Sequence, residues 1–284
     1  MKTRGLFSKT MLGFGFAFLY LPILLMVVFS FNNSRLVTVW DSVNSPTLKW
    51  YGRLFSDNQI LSAAWLSIKV AAMSASGAVI LGTIAGLVLS RFGPFKGRAF
   101  LQGLTTAPLV MPEVITGLSM LLLFVSLEQL FRVMFGWQFD RGMWTIVIAH
   151  VTFTMAYVTV VVQSRLSTFD DSLEEAALDL GARPAKVFFR ITVPLILPAI
   201  LSGWLLAFTL SWDDLVVTQF VSAPGSNTLP MVIFSRVRLG VNPVVNALAT
   251  IMVLVVALGV ILSAVLMRRQ EQRRKREEQM AASG

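Results

Sequence analysis

The chain alternates between long apolar segments and shorter polar connections along almost its whole length. Six of the apolar segments are long enough to cross a bilayer core, which needs about 20 residues of helix. They predict six membrane-spanning helices, and an even number of spans puts both termini on the same side of the membrane. The predicted spans are Met11–Phe31, Leu66–Leu89, Phe100–Ser126, Met143–Gln163, Val193–Trp212 and Val245–Met267.

The composition agrees with a membrane protein. Of the 284 residues, 55% are hydrophobic and 14% are charged, and the mean hydropathy is +0.72, which is too apolar for an ordinary soluble domain of this size. We therefore predict an all-α membrane protein with a single domain over residues 1–284. Its charged tail covers residues 268–284. The first apolar run is followed by no small-residue cleavage site, so we expect a retained helix rather than a signal peptide.

Basic residues distinguish the two sides of the predicted membrane protein. The segments on the side of the termini contain more than twice as many Lys and Arg residues as those on the other side. Cytoplasmic connections carry such an excess, so both termini are predicted to be cytoplasmic. The formal net charge is +9, but the basic residues lie between apolar runs and form no single surface. We therefore expect no nucleic-acid partner.

The residue inventory argues against catalysis within this chain. There is no cysteine, and His150 is the only histidine, so thiolate chemistry is excluded and a membrane-embedded enzyme would lack an obvious constellation of reactive groups. No G-x-x-x-x-G-K-[ST] phosphate loop occurs in the sequence. His150 falls inside the fourth predicted span, where an internal hydrogen bond is the expected state. We assign it no functional role.

The connection between the fourth and fifth spans, residues 164–192, is too long for a simple turn and predicts two short helices. Ser172 and Glu175 form a capping box at the start of the first helix, Gly181 is predicted to end it in a left-handed conformation, and Pro184 can begin the second. The pattern alone leaves two interpretations open, a helix that docks on a partner or a surface helix resting on lipid headgroups. Its apolar stripe consists of Leu173, Ala176, Ala177 and Leu180.

Three carboxylates fall within or beside the predicted spans, where an ionisable residue is costly and is a functional candidate. Glu113 is predicted to lie about 20 Å from the cytoplasmic end of the third span, past the bilayer centre, at ~1.5 Å per residue. Pro108 and Pro112 precede it, and they are expected to break the backbone hydrogen bonds there and open polar groups toward a cavity. The alternative for Glu113 is a carboxylate neutralised by an internal partner. Asp213 and Asp214 follow the fifth span, either held below the outer surface or placed at an exposed helix end.

Two aromatic residues lie close to the acid pair in the sequence. Trp212 and Phe220 offer ring faces that attract a cation. The alternative role for Trp212 is that of an anchor at the membrane interface.

The connection between the fourth and fifth spans resembles the EAA loop of ABC importer permeases, whose pattern is E-A-A-x3-G-x9-I-x-L-P. The resemblance implies that residues of about 170–194 form a coupling helix that sits in a groove on a cytoplasmic ATPase subunit. It also implies the six-helix type I permease (MetI-like) fold. Val193 stands in place of the leucine, and the matching residues are Glu175, Ala176, Ala177, Gly181, Ile191 and Pro194.

Further segments are similar to the polyamine branch of this family, most of all to the second permease subunits of putrescine importers. In that branch, the acid of the Pro-Glu step and the Asp-Asp pair are associated with substrate passage. The resemblance therefore implies a path role for Glu113 and for Asp213 or Asp214. The similar segments are Phe31–Ser34, Thr106–Glu113, Leu210–Asp214 and Gly240–Thr250.

The function implied by the resemblance is that of one permease subunit of a binding-protein-dependent importer, located in a bacterial inner membrane and carrying a polyamine, first of all putrescine. The expected partners are a paralogous permease, an ATPase dimer that binds ATP and Mg, and a periplasmic polyamine-binding protein. No cofactor is expected in this chain. A permease for spermidine or another small cationic solute is the alternative within this fold. An ion-coupled secondary transporter is the alternative from another class, and it would not need a coupling helix.

Overall fold

The structure is a computed structural model that describes residues 2–36, 39–138, 140–168, 170, 172–240 and 242–282. This part of the chain is mainly helical and contains no β-strand, which confirms the all-α prediction. Its helices are α1 (Lys2–Phe29), α2 (Lys49–Phe55), α3 (Asn58–Arg91), α4 (Arg98–Val110), α5 (Glu113–Phe135), α6 (Met143–Leu166), α7 (Ser172–Asp179), α8 (Pro184–Val187), a π-helix (Phe188–Thr192), α9 (Val193–Asp213), α10 (Val216–Val221), α11 (Leu229–Leu239) and α12 (Pro243–Ala282).

The predicted set of six membrane helices is confirmed. Within the described residues, five helical segments are long and apolar enough to cross a membrane, and a shorter apolar segment at the start of α12 corresponds to the sixth prediction. The backbone of α12 continues as helix through most of the charged tail to Ala282, and residues 283–284 lie outside the described residues. The six segments are Phe7–Phe29, Asn58–Arg91, Glu113–Phe135, Met143–Leu166, Pro184–Asp213 and Pro243–Gly259.

The third predicted span, Phe100–Ser126, is divided between two helices in the structure. Met111 and Pro112 have extended backbones, with ψ angles of 135° and 134°, and they separate α4 from α5. The residue before a proline is disfavoured in the helical region, and the proline itself has no N–H to donate. Glu113 is consequently the first residue of the spanning helix α5. The rise along one helix from Phe100, on which the predicted depth of Glu113 was based, is therefore interrupted, and the depth of Glu113 in the bilayer stays a prediction.

The chain divides into two compact units, residues 1–58 with 233–284 and residues 59–232. In the first unit, α2 packs against α12, and an ion pair of 2.7 Å joins Arg236 Nη1 to Asp57 Oδ2. The buried indole of Trp50 donates to the carbonyl oxygen of Asn32 at 2.6 Å. These contacts fix the polar segment after α1. The single domain over residues 1–284 stays a prediction.

In the second unit, α6 packs closely against both α3 and α9 through small residues. A Cβ added to Gly82 of α3 would lie 2.7 Å from Cβ of Val158 and 2.9 Å from the carbonyl oxygen of Met155. On α9, a Cβ added to Gly203 would lie 3.2 Å from Val158 Cγ1. Membrane helices lack a hydrophobic driving force between them, so such close backbone approach supplies much of their packing energy.

Candidate functional site

The helix predicted to couple to an ATPase exists as α7, but its start differs from the predicted capping box. Ser172 is the first helical residue, and its N–H donates to Oδ1 of Asp170 at 3.0 Å. Hydrogen bonds from the Ser172 side chain and N–H hold the pKa of the Asp170 carboxyl below its usual value. The negative charge near the helix N-terminus thus comes partly from a residue before Ser172, where the helix dipole favours it.

The C-terminal end of α7 has the left-handed conformation predicted for Gly181, with a φ of +81°. The N–H of Gly181 donates to the carbonyl of Leu178 at 2.8 Å, and the N–H of Ala182 donates to the carbonyl of Ala177 at 3.1 Å. These two bonds form a Schellman motif. A glycine is favoured here because other residues pay a steric cost at positive φ. The turn directs the chain from α7 into α8.

The apolar stripe of α7 lies on the surface of this chain. Leu173 is 50% exposed and Leu180 is 88% exposed, while Ala176 is exposed and Ala177 is half-buried. Glu175 is exposed as well. The first three matching EAA residues therefore share a short helix with an accessible apolar stripe, the arrangement required of a helix that enters a groove on another protein.

The second half of the EAA loop leads directly into the fifth span. α8, the π-helix and α9 form one continuous helical run from Pro184 to Asp213, so the second predicted short helix is an extension of the span. Pro194 has no N–H to donate to a carbonyl in the preceding turn, and the π-helix ends just before α9 with the N–H of Val193 donating to the carbonyl of Phe188. Ile191 lies within that π-helix.

Two polar contacts of Glu174 join α7 to the ends of two membrane helices, α3 and α9. The hydroxyl of Thr192 donates to Oε1 of Glu174 at 2.5 Å, and Oε2 of Glu174 lies 3.7 Å from Nη2 of Arg91 at the end of α3. Sequence reasoning missed Glu174 as a site residue. The available signal was a second carboxylate directly before the E-A-A motif.

Asp214 lies at the break between α9 and α10, within a buried polar network. Its carboxylate accepts from the N–H of Thr218 at 2.7 Å, from the Thr218 hydroxyl at 2.6 Å and from the N–H of Val217 at 3.3 Å. His150 Nε2 lies 3.2 Å from the same carboxylate, and the side chains of His150 and Asp214 are 1% and 5% exposed. His150 Nδ1 lies 2.6 Å from the hydroxyl oxygen of Ser211. Asp214 is therefore internal.

The two other candidate carboxylates are exposed within this chain. Asp213 is the last residue of α9 and Glu113 is the first residue of α5, and both are exposed. The structure thus separates the neighbours Asp213 and Asp214, which the sequence could not distinguish. Asp213 and Glu113 are accessible to a cation, whereas Asp214 is committed to internal hydrogen bonds.

The two candidate aromatic residues have different surroundings. A Cβ added to Gly117 would lie 2.6 Å from Phe220 Cδ2, so Phe220 packs on α5 about one helical turn after Glu113. The Trp212 ring instead stacks on Phe208 of the same helix, with 6.1 Å between the ring centroids and 13° between the planes. The structure brings Phe220 and Glu113 to the same end of α5. The ring of Trp212 lies against its own helix, α9.

Sequence reasoning missed the partners of Asp214, which are His150, Ser211 and Thr218. His150 was expected to form an internal hydrogen bond, and that expectation is confirmed. Its pairing with Asp214 was not foreseen because 64 positions separate the two residues. The signal that was present is that an ionisable residue inside a membrane helix needs a polar partner. The sole histidine and the acid pair were the obvious candidates for such a pairing.

The chain is similar to membrane permeases of transport systems. The chain is 60% identical over 237 residues to the putrescine transport system permease protein PotI of Escherichia coli K12, covering 84% of this chain and 82% of that protein. It is 38% identical over 253 residues to the spermidine/putrescine transport system permease protein PotC of the same strain, covering 89% and 90%.

Solved structures of ABC transporters share the fold. A bacterial transporter involved in the import of the acidic polysaccharide alginate matches with a TM-score of 0.70 and 17% identity, covering 94% of this chain and 96% of that chain. The methionine transporter MetNI, in an inward-facing form, matches with a TM-score of 0.56 and 15% identity, covering 72% and 92%. At these identities the likeness concerns the fold, and it confirms the predicted importer permease architecture.

The family match covers most of the chain. The family described as the binding-protein-dependent transport system inner membrane component matches residues 78–276. This range includes the EAA loop, both exposed carboxylates and the buried network around Asp214. The family match and the apolar helices together identify the protein as a multi-pass inner-membrane permease. The chain therefore belongs to the family of binding-protein-dependent transport system inner membrane components.

Proposed function

We propose that this chain is one permease subunit of an ABC importer that carries putrescine into the cytoplasm. The observation that carries the proposal is the 60% identity, over 84% of the chain, to a relative named for putrescine transport. The relative named for both spermidine and putrescine is 38% identical. Putrescine therefore ranks before spermidine as the substrate.

The exposed carboxylates fit a diamine substrate. Putrescine has an ammonium group at each end of a short methylene chain, so two separated acids complement it better than one acid pair. Glu113 and Asp213 are exposed and lie at the ends of different helices. Phe220 offers an aromatic ring near Glu113, and cations are attracted to aromatic faces. In this proposal Asp214 holds the break between α9 and α10, and its neighbour Asp213 contacts the substrate.

The proposed complex contains a paralogous permease, two ATPase subunits and a periplasmic binding protein. ATP and Mg are bound by the ATPase, which is consistent with the missing phosphate loop in this chain. The Lys and Arg distribution supports cytoplasmic termini and therefore puts α7, after the fourth span, on the cytoplasmic side. There the exposed stripe of α7, with Glu175, Ala176 and Ala177, enters a groove of the ATPase. Residues 1–284 act as one permease domain.

The proposed substrate is tested in vesicles that contain the complete complex. Putrescine-loaded binding protein is expected to stimulate ATP hydrolysis and uptake more than spermidine-loaded binding protein. The Glu113→Gln variant keeps the size of the side chain and removes its charge. Loss of a hydrogen bond to a charged group is worth about 1.5–3 kcal/mol, so uptake of putrescine should fall roughly ten-fold or more where this contact limits the rate.

The matched control for Glu113→Gln is Glu128→Gln on the same helix. Glu128 pairs with Arg132 at 3.0 Å, one helical turn along α5, and such i,i+4 pairs on a helix contribute only about 0.3–0.5 kcal/mol. The control should transport normally. If another solute stimulated ATP hydrolysis and uptake but no polyamine did, the proposed polyamine substrate would be wrong. Normal uptake by Glu113→Gln would overturn the proposed role of that carboxylate.

The coupling role of the EAA loop predicts a defect for Gly181→Val. A side chain at a φ of +81° costs ~1–2 kcal/mol in backbone strain, and relief of that strain alters the turn after α7. We expect reduced co-purification of the ATPase with the permease pair, while membrane insertion stays normal. Gly225→Val is the control, because Gly225 has a φ of +89° in a connection predicted to lie outside. Equal ATPase recovery in both variants would contradict docking by α7.

A further inference from the structure

α7 is attached to the rest of its unit with little apolar packing. None of its eight residues, all of which the structure describes, is buried. An open cavity of about 300 Å³ lies beside it, with Leu87 of α3, Leu178 of α7 and Val187 of α8 among the lining residues. A helix without buried side chains gains little from the hydrophobic effect. Its position must therefore depend on its chain connections and on polar contacts.

Glu174 provides polar contacts to two different membrane helices. One carboxylate oxygen accepts a short hydrogen bond from the hydroxyl of Thr192, which is the last residue before α9. The other oxygen forms an ion pair with Arg91, the last residue of α3, at 3.7 Å. The side chains of Arg91 and Glu174 are only 20% and 22% exposed. Such partial burial reduces the screening of the pair by water.

The partner Thr192 occupies a place where the helix departs from regular geometry. It closes the π-helix of residues 188–192, which joins the coupling loop to the fifth span. Short π-helical segments in otherwise regular helices frequently occur at functional sites. Arg91 occupies the corresponding end of the second span, so a single carboxylate is bound to the cytoplasmic ends of both spans.

We propose that Glu174 is a positioning residue that ties the coupling helix α7 to α3 through Arg91 and to α9 through Thr192, and transmits the movement of α7 to both. The inference rests on the proposed function, since it requires that α7 is moved by an ATPase. Within that function, the exposed Glu175 and Ala176 face the ATPase, while the partly buried Glu174 faces the membrane helices. Docking and transmission are then carried out by neighbouring residues of one short helix.

The Glu174→Gln variant tests this division in the reconstituted complex. The amide still accepts the Thr192 hydroxyl, but the charge that pairs with Arg91 is lost. We expect normal co-purification of the ATPase and normal basal ATP hydrolysis. The amount of substrate taken up per ATP hydrolysed should fall roughly ten-fold, the size expected when a charged contact is lost from the step that limits transport. A residue that only supports folding would lower assembly and hydrolysis together.

Two further variants keep the test decisive. The exchange Arg91→Glu with Glu174→Arg restores opposite charges and should recover a large part of the uptake per ATP, whereas each single exchange should not. Thr192→Val removes only the hydroxyl and should give an intermediate loss. Asp179→Asn, an exposed change at the end of α7, serves as the control.

The outcomes separate this inference from the proposed function. If the unmodified complex takes up no polyamine, the proposed function fails. If it does so and Glu174→Gln has normal uptake per ATP, the transmitting role is overturned. Loss of ATPase co-purification in Glu174→Gln would also overturn it, because Glu174 would then be part of the docking surface. Failure of the charge exchange to recover uptake would overturn the role of Arg91.

Discussion

Replacing Asp214 with alanine should prevent the permease from folding stably. The change removes the carboxylate that accepts from the Thr218 N–H, the Thr218 hydroxyl and the Val217 N–H and that lies 3.2 Å from His150 Nε2. A buried donor left without an acceptor costs about 1–3 kcal/mol, and several such losses together approach the total stability of an ordinary domain, about 5–15 kcal/mol. The expected result is little recovery of the complex and a clearly lower unfolding temperature of what is recovered.

The adjacent residue provides a matched control for this prediction. Asp213 is exposed, so Asp213→Ala should leave the recovery and the unfolding temperature of the complex close to normal while it lowers putrescine uptake. Thermal unfolding of both purified complexes, with uptake in vesicles, measures the two effects. Similar unfolding temperatures for the Asp213 and Asp214 variants would contradict the separate roles that we assign to the two acids.

A second large effect is expected from Gly82→Leu in α3. A Cβ alone would lie 2.7 Å from Val158 Cβ and 2.9 Å from the Met155 carbonyl oxygen. Neither atom is at the end of a flexible side chain, so α3 and α6 must move apart to admit the new group. Overpacking costs typically 1–3 kcal/mol and sometimes more. The variant should assemble poorly with the paralogous permease and lose transport, as measured by co-purification and uptake.

The control for Gly82→Leu is the same substitution at Gly15 of α1. A Cβ added there meets no heavy atom within 4 Å in this chain, so Gly15→Leu adds an apolar side chain to a helix that already exposes many of them. It should insert and assemble normally. Normal assembly of Gly82→Leu would mean that α3 and α6 are not closely packed at this position.

The two predictions depend on features that the sequence could not supply. The acid pair at positions 213 and 214 was recognised as a candidate from the cost of charge within an apolar segment. Its division into an exposed and a buried member required the break after α9 and the position of His150 on α6. Likewise, a glycine in an apolar helix indicates close packing only when the opposite residue is known.

Local signals predicted the elements of this protein well. Apolar segment length predicted six membrane helices, and the glycine at the end of α7 predicted a left-handed turn, since both depend on a few adjacent residues. The division of the third span into α4 and α5 at Met111 and Pro112 was not predicted, although the prolines that cause it are a local signal. Two prolines were recognised as disturbing the helix, but the strong apolar pattern on both sides favoured one continuous span.

The sequence by itself determined the membrane character, the number of spans and the EAA loop, because hydrophobicity, segment length and residue spacing are properties of consecutive positions. Only the tertiary structure decided which polar groups meet. Glu174 reaches Arg91 from a different helix, and His150 reaches Asp214 across 64 positions of the chain. Buried polar groups must find partners when water is absent, but the choice of partner depends on how the helices pack, and that packing brings together residues far apart in the sequence.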